Sequence, residues 1–277
     1  YFAEKVRQTR YNLDDAETKP YFELNAMMRA MFDCAGRLFG LKFEEKQGIP
    51  MYHPDVRTFE VHNAAGALVG IFLSDNYARS TKSGGAWMSA YRWQAQMDEG
   101  PVIPIIANHN NFAKAPAGEP TLLSLDDVRT LFHEFGHGLH GLLSNVTYER
   151  LSGTNVLQDY VELPSQLYEH WALEPEVLDK HARHYKTGDA MPQSLRERIE
   201  DARLFNKGFE TVQYTSSALV DMAAHALASY EGFDLVAFEK AELARLGMPH
   251  AIPMMHRLTH FRHLFSGTDY AAGYYVY

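Results

Sequence analysis

The chain has 277 residues, 46% hydrophobic and 22% charged, an ordinary balance for a globular protein with a substantial core. A formal net charge of -9 argues against a nucleic-acid partner, and no apolar run reaches the ~20 residues that span a bilayer. The single cysteine, Cys34, excludes an intrachain disulfide, which fits a cytoplasmic setting.

The chain opens at Tyr1 with no basic or apolar leader and stops at Tyr277 inside a Gly/Tyr-rich stretch, so it reads as a piece of a longer protein. Residues 20–39 carry apolar groups at helical spacing, with Met27, Met28 and Met31 assigned to core packing. Residues 56–62 alternate, residues 63–66 turn and residues 67–74 run apolar, which predicts a hairpin. Residues 101–108 read as another strand, and Pro101 and Pro104 place it at a sheet edge.

Ser124 followed by Asp126 and Asp127 signals a helix start, and Val128, Leu131, Phe132, Phe135 and Leu139 continue the period. Beyond Asn155 the pattern is helical, over residues 156–173, 195–214 and 217–229, with Gly188 and Pro192 marking a break. The predicted fold is mainly α, with a small sheet beside the helix that begins at Ser124.

That helix carries His133-Glu134-Phe135-Gly136-His137, an H-E-x-x-H pattern. Residues four apart share a helix face, so His133 and His137 can hold one divalent metal while Glu134 reaches a water beside it. A catalytic zinc site needs a third protein ligand. A pattern with Gly three and His six residues further on is absent, because His140 and Leu143 stand there. Glu162 is expected to be the third ligand rather than His140. A residue seven positions beyond His133 on one helix lies roughly 10 Å up the axis. Pro164 is tolerable after Glu162 if it sits in the first turn of a helix. Asp159 and Glu169 are expected either to support the metal-bound imidazoles or to face solvent.

The stretch from His263 to Tyr277 combines a histidine, loop glycines and four tyrosines. Its phenols read either as packing aromatics or as donors to a developing oxyanion.

His133 to His140, then Ser152-Gly153-Thr154, then Tyr160-Val161-Glu162-Leu163-Pro164-Ser165-Gln166 resemble the thimet oligopeptidase family of zinc metallopeptidases. Ser83–Met88, Gly118–Ser124 and Glu169–Glu176 support the likeness, which covers essentially the whole chain. Within that family the chain is similar to the peptidyl-dipeptidases. The resemblance implies that residues 1–277 are the catalytic region of a longer enzyme, lacking an N-terminal helical portion and the extreme C-terminus. It implies a mostly helical fold forming part of a deep substrate channel. It implies one zinc ion held by His133, His137 and Glu162, with Glu134 as general base. It also implies that His263, Tyr270, Tyr274 and Tyr277 contact substrate or stabilise the transition state, although Thr268-Asp269 departs from the glycine expected in that loop.

The implied activity is hydrolysis of short peptides with release of C-terminal dipeptides. Endo-oligopeptidase action is the nearest alternative, and a non-catalytic peptide-binding module the alternative from another class. The intact Glu134 argues against the module, and the absence of G-x-M-E-N argues against an aminopeptidase. Residues 104–112 are expected to align a peptide by strand addition. Arg79 and Lys82 are weighed as holders of a terminal carboxylate or as a solvated surface pair.

Overall fold

The structure, a computed structural model, describes residues 1–277. Its helices are α1 (Phe2–Tyr11), α2 (Asp15–Thr18), α3 (Leu24–Phe39), α4 (Leu125–Leu142), α5 (Gln158–Val161) and α6 (Leu163–Glu169). They continue as α7 (Pro175–His181), α8 (Gln193–Ala202), α9 (Lys207–His225), α10 (Leu235–Arg245) and α11 (Arg262–Phe265). The strands are β1 (Lys42–Lys46), β2 (Arg57–His62), β3 (Leu68–Tyr77), β4 (Trp87–Arg92), β5 (Ala95–Met97), β6 (Gly100–Val102) and β7 (Ile105–Phe112). The fold is mainly α, with a five-stranded mixed sheet and a separate two-stranded pair. No helix is long and apolar enough to cross a membrane.

Contacts divide the chain into two units. The larger comprises Gln8–Val156 and Leu163–Ile199. Its sheet has the order β1-β2-β3-β7-β4, with β3 and β7 parallel and the other neighbours antiparallel. The β2–β3 hairpin forms as its sequence predicts. Asn63 Oδ1 accepts from the backbone of Ala65 and Ala67, which closes the turn. α3 starts at Glu23, whose carboxylate accepts from the Asn25 and Ala26 amides, and stops at Gly40 in the left-handed region. It buries Met27, Met28 and Met31 as expected. Phe32, Phe43, Phe72 and Phe135 pack ring to ring between α3, the sheet and α4, with Phe32 stacked on Phe43 at 4.2 Å and Phe72 edge-on to Phe135 at 5.1 Å.

Two strand expectations are corrected. β7 lies inside the sheet, not at its edge. Pro104 precedes the ladder and Pro101 falls in the separate β5–β6 pair, so neither proline interrupts β7. Because β3 and β4 already pair with both sides of β7 over residues 105–109, that stretch cannot accept another strand. The open edge beside β7 is β4.

The helical expectations also shift. Residues 156–173 do not form one helix. Pro164 has no N–H to donate to Tyr160, so α5 ends at Val161 and α6 restarts with Pro164 in its first turn. The break marked by Gly188 and Pro192 falls between α7 and α8 as expected. The 195–214 stretch is itself interrupted at residues 203–206, where Asn206 adopts φ 57, and α9 then runs unbroken through the gap expected near residue 215.

The smaller unit comprises Tyr1–Arg7, Leu157–Glu162 and Glu200–Tyr277. Its core gathers Ala218, Val220, Leu243, Met254, Leu258, Phe261, Leu264 and Tyr274. Buried Glu239 accepts from Arg257 Nε at 2.8 Å and from the Leu258 amide at 2.9 Å, tying the irregular segment after α10 to that helix.

Candidate active site

α4 presents the H-E-x-x-H residues on a helix with a reciprocal cap. Ser124 Oγ accepts from the Asp127 amide and the Asp127 carboxylate accepts from the Ser124 amide. His133 is half-buried and His137 buried, one turn apart, and Glu134 is only 6% exposed. Glu162 follows α5 directly and is peptide-bonded to Leu163, the first residue of α6.

His133, His137 and Glu162 each offer one ligand atom, and these atoms lie within 4.8 Å of one another. Donors at ~2.0–2.2 Å from a tetrahedral ion stand roughly 3.3–3.6 Å apart, inside that envelope. Two imidazoles and one carboxylate are a donor set that suits a catalytic zinc and leaves a fourth position open. The residues present therefore fit a metal. His140 lies outside this group; it is half-buried, and burial lowers its pKa.

Two contacts orient side chains of this candidate ligand set. His133 Nδ1 lies 2.7 Å from Glu169 Oε1, a contact that fixes the ring and leaves Nε2 for a metal. Tyr270 Oη donates to Glu162 Oε1 at 2.8 Å. Asp159, the other carboxylate considered for such support, is exposed on α5. α4 and α6 approach so closely that a Cβ on Gly136 would meet Pro164 O and Ser165 Cα at 2.6 Å. That approach holds the chain beginning at Leu163 against the helix bearing the two histidines.

The late loop is only partly a surface feature. Tyr274 is 4% exposed and belongs to the core of its unit, where Tyr214 Oη donates to its carbonyl at 3.0 Å. Burial, then the Glu162 carboxylate, push its phenol up to about 12. The same two causes raise the Tyr270 phenol far above its ordinary value, so it stays a proton donor at neutral pH. His263 is exposed on α11 and meets the Tyr270 ring edge-on at 5.6 Å. The Tyr277 ring stacks on Tyr274 at 5.6 Å.

Arg79 and Lys82 are neither a surface pair nor open to a substrate carboxylate. Arg79 makes two hydrogen bonds to Asp75, at 2.7 and 2.8 Å, and Lys82 reaches Asp75, the Tyr77 carbonyl and the Asn110 carbonyl. Asp75 is fully buried, and the Lys82 side chain is 3% exposed. Both cations are held by the end of β3 and pin the following loop to it.

Against protein-family models, residues 1–277 match Peptidase family M3 from end to end. The chain belongs to that family. Among its relatives, dipeptidyl carboxypeptidase of Escherichia coli is 47% identical over 281 residues, covering 100% of this chain and 41% of the relative. Oligopeptidase A of the same organism is 36% identical over 280 residues, with 100% and 41% covered. The mitochondrial intermediate peptidase of Arabidopsis thaliana is 31% identical over 281 residues, with 100% and 39% covered. The chain thus spans about two-fifths of the length of the curated relatives it matches.

As a member of Peptidase family M3, the chain carries its H-E-x-x-H stretch on a mainly helical scaffold. Sequence reasoning did not single out Asp221, whose carboxylate accepts from the Ala272 and Tyr274 amides of the late loop. Asp221 sits in the apolar run Ala218-Leu219-Val220-Asp221-Met222-Ala223-Ala224, and a lone acid on an otherwise buried face is a readable signal.

Proposed function

We propose that residues 1–277 are the catalytic region of a longer zinc peptidase that hydrolyses short peptides and releases C-terminal dipeptides. The observation that carries this reading is the convergence of His133, His137 and Glu162 beside a buried Glu134 on the same helix as the histidines. One zinc ion is assigned to those three ligands. When bound there, zinc supplies Lewis acidity toward the scissile carbonyl and an attacking water.

Glu134 takes the water proton and hands it to the leaving amine, a transfer its burial beside the ligands favours. The Tyr270 phenol, held protonated, orients Glu162 in the resting enzyme and donates to the oxyanion as charge develops, with His263 and Tyr277 as further donors. Tyr274 shapes the loop that carries them. The unpaired side of β4 is the strand available to a peptide backbone. A cytoplasmic setting is proposed with the activity, in keeping with the single cysteine.

Dipeptide release is favoured by the 47% identity to a dipeptidyl carboxypeptidase, and internal cleavage by the 36% identity to oligopeptidase A. Weighing the products of one defined peptide separates them. Dipeptide release shortens it by two residues at a time from a free C-terminus, and a C-terminal amide slows the reaction. Cuts in the middle of the chain, equal for both forms, leave an oligopeptidase. No cleavage at all by metal-loaded full-length protein leaves a peptide-binding module.

A further inference from the structure

Asp221 lies on α9 with no exposed surface. Its two carboxylate oxygens are divided between two amides of the late loop. Oδ1 accepts from the Ala272 amide and Oδ2 from the Tyr274 amide, both at 3.0 Å. His225 Nδ1, one turn further along α9, stands 2.7 Å from Oδ1. Within the loop, the Gly273 amide donates to the Tyr270 carbonyl at 2.9 Å.

The backbone pays for this arrangement at Ala272, which adopts φ 57, a left-handed conformation disfavoured for a residue with a Cβ. Amides converging from such a turn form a concave nest for an anion, and the anion here is a side chain of the same unit. Removing the charge leaves two amides facing an amide side chain and removes the reason for Ala272 to stay left-handed. Tyr270 is two residues away, and its phenol is the group that meets Glu162.

We propose that Asp221 is the positioning residue of the late loop: its carboxylate fixes the 270–274 turn and so sets the Tyr270 hydroxyl against Glu162. The assignment rests on the peptidase reading for its catalytic consequence, while the clasp itself stands apart from it. Asp221 touches neither substrate nor metal ligand, so its effect on turnover runs through Tyr270.

The test uses the full-length enzyme carrying Asp221→Asn, Tyr270→Phe or both, with metal content, kcat, KM and amide exchange measured on each. Asp221→Asn lowers kcat by about 10- to 100-fold, the span of one charge-assisted contact, with KM and metal content little changed. Exchange of the Ala272 and Tyr274 amides accelerates. In the Tyr270→Phe background the same change adds little further loss, because residues acting as one unit are not additive. A full second penalty in the double variant, or unchanged exchange at both amides, overturns the proposal. If Tyr270→Phe alone keeps its kcat, the catalytic reading of that phenol fails, and faster exchange in Asp221→Asn still supports the clasp. Should Asp221→Asn fold poorly, Ala272→Gly relieves the left-handed strain and supplies a background for the same comparisons.

Discussion

Gly136→Ala tests how far the metal-binding geometry depends on helix approach. The new Cβ would lie 2.6 Å from Pro164 O and Ser165 Cα and 3.0 Å from Ser165 N, all backbone atoms that no rotamer change can move. Reaching ordinary contact at 3.4 Å requires α4 and α6 to part by about 0.8 Å at that point. Overpacking of this kind costs about 1–3 kcal/mol, and the gain in helix propensity from Gly to Ala returns up to ~1 kcal/mol. Net stability of the apo protein therefore drops by only ~0–2 kcal/mol. Ligation is more sensitive, because metal geometry tolerates ~0.5 Å and Glu162 precedes the displaced Pro164 by two residues. Chelator competition should show metal affinity falling by at least ~10-fold while the urea midpoint moves modestly. Gly208→Ala on α9, with nothing within 4 Å of its Cβ, is the matched control and should bind metal normally. A Gly136→Ala protein with wild-type metal affinity and wild-type stability would refute the reasoning.

Glu134→Gln should keep its metal while turnover falls by ~10²–10⁴, and near-normal turnover at full metal occupancy removes Glu134 from the proton transfer. Glu162→Ala should lose several kcal/mol of metal affinity, and unchanged metal content would redirect attention to His140. Asp75 carries the pH dependence. Burial opposes its ionisation, but the Arg79 hydrogen bonds, the Lys82 charge and His109 outweigh it and hold its pKa well below the carboxylate range. A depressed native pKa gives stability that is complete above the unfolded value of ~3.9 and is lost as pH falls toward the native value. Asp75→Asn should therefore destabilise by about 3–5 kcal/mol at pH 7 and flatten the loss of stability below about pH 4. Parallel acid limbs for the two proteins in urea titrations would contradict that assignment.

What was legible in the sequence was local. The i, i+4 histidines, the Ser124 cap and the Asn63 turn are encoded within a few residues, and the structure forms each. Glu162 and Glu169 were reachable because they follow α4 closely in the chain. Strand order was not legible. The parallel pairing of β3 with β7 spans the whole β4–β6 excursion, and nothing local marks it. Pro101 and Pro104 therefore suggested an edge where the structure has an interior strand. Arg79 and Lys82 misled for a similar reason, since their partner Asp75 lies at a strand end whose burial depends on β7. The break before α9 hides in Asn206, a polar residue that tolerates φ > 0 without announcing it.

α4 contains three glycines, Gly136, Gly138 and Gly141, among its eighteen residues. Relative to alanine they weaken an isolated helix by roughly 3 kcal/mol, so this segment does not owe its shape to its own propensity. The sheet and α6 impose it, and the spacing of His133 and His137 is thus a property of the assembled core. Metal affinity and folding free energy then form one thermodynamic cycle. Whatever loosens β7 or α6 weakens ligation, and a metal at 100 times its dissociation constant returns ~2.7 kcal/mol to the native state. A cation held by His133, His137 and Glu162 would thus act as a structural ligand for the helix that binds it.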